Sequence, residues 1–304
     1  MTSLTQVAIT TRKIIRYSIY LVVFLIISRI VWGIGKNIYT TLFPPPPPAP
    51  TVSFNKLPQL PFPEKKALPN LEYKLETAEG ELPTLSPQLN VYFMPKLSVH
   101  LFSPDIAREK AALLGFSSGF QEISETNYRF VQPKTAAILE INIASGVFSI
   151  SSNLLTNPNL FQENPPAPEI AASRARSFLS SAGLLPKDLT GPSTNDFLKI
   201  ENQNLVNAIS LSEADLIKVN LFRKPYNNLS SLSTNPSEAN VWFIIGGASQ
   251  KERQIIAAQF HYFPVDENQS ATYPIKTSQE AFDELTAGKG YVANLGSNEN
   301  GKIT

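Results

Sequence analysis

Cysteine is absent from the 304 residues and histidine occurs only 2 times. The first absence removes disulfides, thiolate metal sites and cysteine nucleophiles together. The second leaves little material for histidine-rich metal centres or histidine relays. Charge is sparse at 17% and balanced, 26 Lys+Arg against 25 Asp+Glu, so no basic excess argues for nucleic acid. No GxSxG, HExxH, Walker-type loop or GxGxxG occurs. Glycine, 14, is outnumbered by proline, 25, an inversion whose cause is local. With 42% hydrophobic residues the chain is too apolar for a disordered protein and too polar for a multi-spanning membrane protein.

The balanced charge conceals an asymmetry. Residues 1–50 contain Arg12, Lys13, Arg16, Arg29 and Lys36 and no acidic residue. Removing those five from the 26 basic residues leaves 21 against 25 acidic ones, a net of −4, for residues 51–304. Tyr17 to Gly35 form an apolar run broken only by Arg29, about 28 Å long as a helix and so close to the hydrocarbon thickness. Arg29 lies near the far end, where it snorkels outward, and Trp32 and Tyr39 suit the interface. We read residues 1–16 as a cytoplasmic N-terminus and 17–39 as a transmembrane helix. Arg12, Lys13 and Arg16 before the span place the rest of the chain outside the cytoplasm. A cleaved signal peptide is a competing reading, for which WGIGKNIYTT offers a poor cleavage site. A buried core helix is a third, and is seldom this long with flanking charge on one side.

Residues 40–70 read as a proline-rich stalk. Pro44 to Pro48 cannot enter a helix or a central strand and favour polyproline II, and prolines recur at 58, 61, 63 and 69. From Pro44 to Pro69 such a chain would reach roughly 80 Å. A spacer is favoured over a ligand for a proline-binding module, because those modules are mostly cytoplasmic and this segment is expected outside.

The remainder reads as an α+β ectodomain of tandem helix-plus-antiparallel-strand units: 71–164, 165–270 and a helix–strand segment at 271–304. Strands are expected at 72–77, 89–94, 128–131, 136–143, 147–151, 205–211, 216–222, 241–245 and 254–263. Pro104 to Leu114 reads as a helix with Ser103 as cap, Gly115 as stop, and a stripe of Ile106, Ala107, Leu113 and Leu114. Residues 168–184 read as a second. Its PEIA start matches PDIA at 104–107, an offset that suggests an internal duplication, although two alanine-rich helices also look alike by chance. Ser278 to Ala287 reads as a third helix, with Ser278 as cap.

No catalytic, cofactor-binding or metal-ligating residue is assigned. His100 and His261 read as structural or surface histidines. Asp266-Glu267-Asn268 lacks the glycine and the terminal glutamate of a calcium loop. The glycines of GKGY, 288–291, close a helix, the wrong polarity for an anion, and strand-like residues 291–293 follow.

The helix-plus-hairpin layout, with a turn like Ser145-Gly146-Val147, resembles the PepSY class of extracytoplasmic domains. Residues 272–293, TYPIKTSQEAFDELTAGKGYVA, look more particularly like the C-terminal module of the YycH/YycI-type regulators. Those are single-span bacterial proteins whose external domains modulate a membrane histidine kinase. The resemblance implies a non-enzymatic regulatory protein of the cell membrane with no catalytic residues to transfer. The five-proline stalk departs from those regulators, and the chain stops at Thr304 where their module continues with further strands. The expected function is therefore a regulatory or scaffolding module, held in the membrane by residues 17–39, that binds another envelope protein. A ligand-binding envelope sensor and an envelope enzyme without a recognisable motif are the alternatives.

Overall fold

The computed structural model describes residues 4–43, 48–59, 71–101, 103–154, 157–233, 238–292 and 302–303. It divides into two compact units, residues 1–50 and 51–304.

The first unit is one helix, α1 (Leu4–Leu42), of 39 residues. No glycine or proline interrupts Leu4 to Trp32, so the helix starts well before the apolar run and continues past the expected end at 39. Within it Ile9–Leu42 is long and apolar enough to cross a membrane, with a mean hydropathy of 2.0. Its large apolar side chains, among them Phe24, Trp32 and Tyr39, are exposed.

The second unit is mixed α and β. Its elements in chain order are β1 (Glu72–Tyr73), β2 (Gln88–Phe93), α2 (Ser103–Leu113), β3 (Ser118–Glu122), β4 (Asn127–Val131), β5 (Ile138–Asn142) and β6 (Phe148–Ser151). Then come α3 (Pro168–Ser181), β7 (Ser193–Glu201), β8 (Asn204–Asn207), β9 (Leu216–Leu221), β10 (Val241–Ile245), β11 (Ile255–Phe260), β12 (Asp266–Pro274), α4 (Ser278–Thr286) and β13 (Lys302–Ile303). Nine strands form one antiparallel sheet in the order β3-β4-β5-β6-β11-β10-β9-β7-β8. The two expected α+β units are therefore continuous. Each is a helix followed by a four-strand antiparallel row, β3-β4-β5-β6 and β7-β9-β10-β11, and β8 is a hairpin partner added outside β7.

The rows join where β6 pairs with β11, Phe148 opposite Phe260 and Ile150 opposite Ala258. Period-two alternation sends Phe130, Leu139, Phe148, Phe260, Phe243 and Val219 into one cluster with both helices. The helices contribute small residues, Ala107 and Ala111 from α2 and Ala171 and Ala175 from α3, which let their backbones approach the sheet. The buried stripe of α2 is thus Ala107, Ala111 and Leu114. Ile106 and Leu113, expected in it, are exposed, because 107, 111 and 114 follow the helical repeat more closely. Gly115 at φ 90° and Gly183 at φ 62° stop α2 and α3, a left-handed geometry that glycine adopts without a Cβ clash. The Lys110 ammonium donates to the Ala182 carbonyl at 2.7 Å, placing a cation at the negative end of α3. A smaller cluster, Leu198, Leu216, Ile244 and Ile256, packs on the other face under Leu160.

β2 and β12 form a separate two-stranded ribbon. Residues from the stretch read as stalk lie on it. Val52 N–H donates to the Thr272 carbonyl at 3.1 Å, Thr51 N–H to the Thr272 hydroxyl at 2.9 Å, and Tyr273 O–H to the Asn55 carbonyl at 3.0 Å. The folded domain therefore reaches back to Thr51. Residues 60–70 and the proline tract at 44–47 lie outside the described residues.

Two capping expectations are corrected. Thr277, not Ser278, caps α4: its hydroxyl accepts from Glu280 N–H while the Glu280 carboxylate accepts from Thr277 N–H, a reciprocal capping box. Ser103 is the first helical residue of α2, and its hydroxyl accepts from His100 N–H at 3.0 Å. Of the strand expected at 291–293, Tyr291 and Val292 are not strand, and residue 293 lies outside the described residues.

Candidate functional site

Three connections of the second row converge at one end of the sheet. The loop after α3 brings Asp188, the segment leaving β9 brings Arg223, Lys224 and Tyr226, and the segment leaving β11 brings Tyr262. Gly191 allows the first two to touch, since a Cβ there would meet the Arg223 carbonyl oxygen at 2.0 Å.

Asp188 is buried, and each carboxylate oxygen is occupied. Tyr262 O–H donates to Oδ1 and Tyr226 O–H to Oδ2, both at 2.8 Å, and Arg223 Nε lies 3.4 Å from Oδ2. The Asp188 carbonyl accepts from Lys224 N–H at 2.7 Å. The Arg223 guanidinium lies 4.2 Å from the centre of the Tyr262 ring and also donates to the Phe263 carbonyl. A buried carboxylate is tolerated only with such partners. Partial burial, and then donation to a carboxylate that would repel a phenolate, push the Tyr262 phenol up to about 12 and the Tyr226 phenol higher still. Both phenols stay protonated at neutral pH. The group holds no free base and no activated nucleophile; it clips three loops together.

The clip forms part of one wall of an open cleft of 510 Å³. β2 lines it through Leu89, Asn90 and Tyr92, and Met94, the residue after β2, adds to them. Successive strand residues point to opposite faces, so a cleft lined by both Leu89 and Asn90 meets the strand along its edge. Tyr92 and Tyr226 join the walls, their ring centres 5.2 Å apart. A second cleft, of 640 Å³, lies where the two rows meet, between the end of α2, the outer side of α3 and the connection from β10 to β11. Both volumes fall in the range of small-molecule sites.

The histidines are not brought together. His261 is exposed on the first cleft with its ring edge-on to Phe263 at 5.1 Å, and His100 is exposed at the start of α2. Asp266 accepts from Asn268 N–H and from the Gln269 amide, and Glu267 pairs with Lys224 at 2.7 Å. Among the described residues no three His, Cys, Asp or Glu side chains are grouped to hold a metal ion. Sequence reasoning missed the Asp188 clip, whose members lie up to 74 residues apart. The available signal was polar aromatic side chains just past two strand ends, at 226 and 262.

Comparison with protein-family models, curated proteins and solved structures returns no match.

Proposed function

We propose that the protein is a single-pass, membrane-anchored extracytoplasmic protein whose folded domain is a non-catalytic regulatory or scaffolding module that binds another envelope protein. α1 supports the anchor, and Arg12, Lys13 and Arg16 before the apolar run support the orientation. The regulatory sense of the binding rests on the resemblance at residues 272–293.

The observation that carries the reading is the edge of β2. Among the described residues β2 pairs with β12 alone, so from Leu89 to Phe93 its other edge has no strand against it. That edge runs beside the first cleft. An extended polypeptide offers matching N–H and C=O groups at the strand repeat, and the cleft receives its alternate side chains. The other open edges suit this less: β3 is bulged between Ser118 and Gln121, and β8 has only 4 residues. Arg223, the one lysine or arginine lining the cleft, is already paired with Asp188 outside the lining, which favours an uncharged segment.

The test is site-specific photo-crosslinking in cells with the full chain. A photoreactive residue at Leu89 or Met94 should give a discrete protein adduct, and one at Leu205 on β8 should not. Equal labelling at all three positions, or none at Leu89 and Met94, would overturn the reading. Protease added to cells stripped of their outer layers should digest the domain, and full protection would reject the orientation.

A further inference from the structure

The second cleft contains positive charge that no side chain among the described residues pairs with. Arg174, on the second turn of α3, is half-buried and lines the cleft, yet no carboxylate pairs with it among the described residues. Among the described residues the only hydrogen bond of its guanidinium is a long one, 3.4 Å, to the Gly246 carbonyl, which leaves most of its five N–H donors without a protein acceptor there. The Lys251 ammonium, on the facing connection, has no ion-pair or hydrogen-bond partner among the described residues. Glu252 is the one acidic side chain in the lining, and it is already held by Lys134 at 2.6 Å. That lysine, first through its hydrogen bond, holds the Glu252 carboxyl below its usual range. Glu163, outside the lining, accepts from the Ser249 hydroxyl at 3.0 Å.

The unspent donors lie on the same wall. Ser173 and Ser177 are four residues apart on α3 and flank Arg174, and their hydroxyls make no hydrogen bond among the described residues. Phe178, which packs on the core, adds an apolar surface beside them. The position is stiff. The Gln132 amide, from the first row, donates to the Glu252 carbonyl at 2.9 Å and ties that row to the connection bearing Lys251.

We infer that this inter-row cleft binds an oxyanion, a phosphate or carboxylate carried on a small apolar body. The Arg174 fork takes two of its oxygens, Lys251 supplies a second positive charge, and the Ser173 and Ser177 hydroxyls donate to what remains. Guanidinium geometry matches both kinds of oxyanion, and charge-assisted bonds of this kind are the strong ones. The apolar body lies against Phe178. The site is independent of the β2 edge and shares no lining residue with the first cleft.

The experiment is a calorimetric titration of the full chain in a non-ionic detergent with phenyl phosphate, and with benzyl alcohol as the neutral control. Phenyl phosphate should bind and benzyl alcohol should not. Arg174→Gln and Lys251→Gln should each weaken binding about tenfold or more, the loss of one charge-assisted contact. Arg174→Lys, which keeps the charge and loses the fork, should fall between wild type and Arg174→Gln. Lys251 is on the surface, so its variant reports on binding even if substitution of Arg174 disturbs folding. Nanodiscs of phosphatidylcholine with and without phosphatidylglycerol separate the sources. Competition only by the anionic discs assigns a lipid headgroup, and no competition assigns a soluble anion. The inference is overturned if phenyl phosphate fails to bind the folded wild-type chain, if benzyl alcohol binds equally, or if Lys251→Gln and Arg174→Gln both bind as wild type.

Discussion

Phe148 and Phe260 face each other across the junction of the two rows, their rings parallel to within 14° and 5.0 Å apart. Both are almost wholly buried. One comes from the last strand of the first row and the other from the last strand of the second, so the pair holds the halves of the domain together. Replacing either by alanine is expected to cost about 3–5 kcal/mol, and the double variant should show a coupling of about 0.5–1.5 kcal/mol. Urea titration followed by both circular dichroism and tryptophan fluorescence measures this. The two signals should shift together, because the core is continuous, and separate transitions would show that the halves unfold independently.

Asp188 holds the ends of three connections, so its loss should be felt far along the chain. Asp188→Asn keeps the shape but leaves Arg223 without its counter-charge and one phenol without its acceptor. We expect a loss of about 3 kcal/mol. Tyr226→Phe, which removes a single donor from an oxygen that Arg223 also approaches, should lose about 1 kcal/mol. Equal effects would mean that the arginine is not held by the carboxylate.

The raised phenols give the stability a direction in alkali. Tyr262 titrates near 10 unfolded and at about 12 folded, so the folded state keeps its proton longer. The stabilisation is fully present below about pH 10 and is lost as the pH rises toward about 12. Tyr226 moves the same way. Denaturation midpoints should therefore fall across this window, and Tyr262→Phe should flatten the slope. An unchanged slope in that variant would remove Tyr262 as its source.

Val52 sits at φ 46°, a left-handed conformation that a β-branched side chain adopts at a cost. It is held there by its bond to Thr272 and by the neighbouring Thr51 contacts. Val52→Asn should stabilise the domain by about 1 kcal/mol, since asparagine tolerates this region. A chain beginning at Thr51 should also resist denaturant better than one beginning at Leu71, which lacks these contacts. Destabilisation by Val52→Asn would mean that the valine side chain contributes more packing than its backbone costs.

What the sequence made legible is local. Proline starts, glycine stops and alternating hairpins around 144–146 and 246–247 placed α2, α3, β5, β6, β10 and β11 close to where they lie. β7 was not visible because it opens Ser-Thr-Asn-Asp and turns into β8 through Asn202 and Gln203, both at positive φ and neither a glycine. β12 reads Asp-Glu-Asn-Gln-Ser over its first half, since its pairing partner β2 is remote in sequence and one of its faces is wet. The site was less legible than the fold. No motif spaces Asp188, Arg223, Tyr226 and Tyr262, and the open charge of Arg174 becomes visible only when the carboxylate in its cleft, Glu252, is seen to be paired with Lys134.

β6 and β11 close their rows in equivalent places and pair antiparallel. The strand order mirrors itself about that pairing, β3-β4-β5-β6 on one side meeting β11-β10-β9-β7 on the other. A lone row would offer the same strand to a second copy of itself, the isologous contact of a symmetric dimer. In strand order the domain is laid out like such a pair joined in one chain, with the residues between β6 and α3 as the tie. Tying makes the association intramolecular, hence independent of the protein's concentration. It also releases the halves from identity. The second row acquires the Asp188 clip and the extra β8 hairpin.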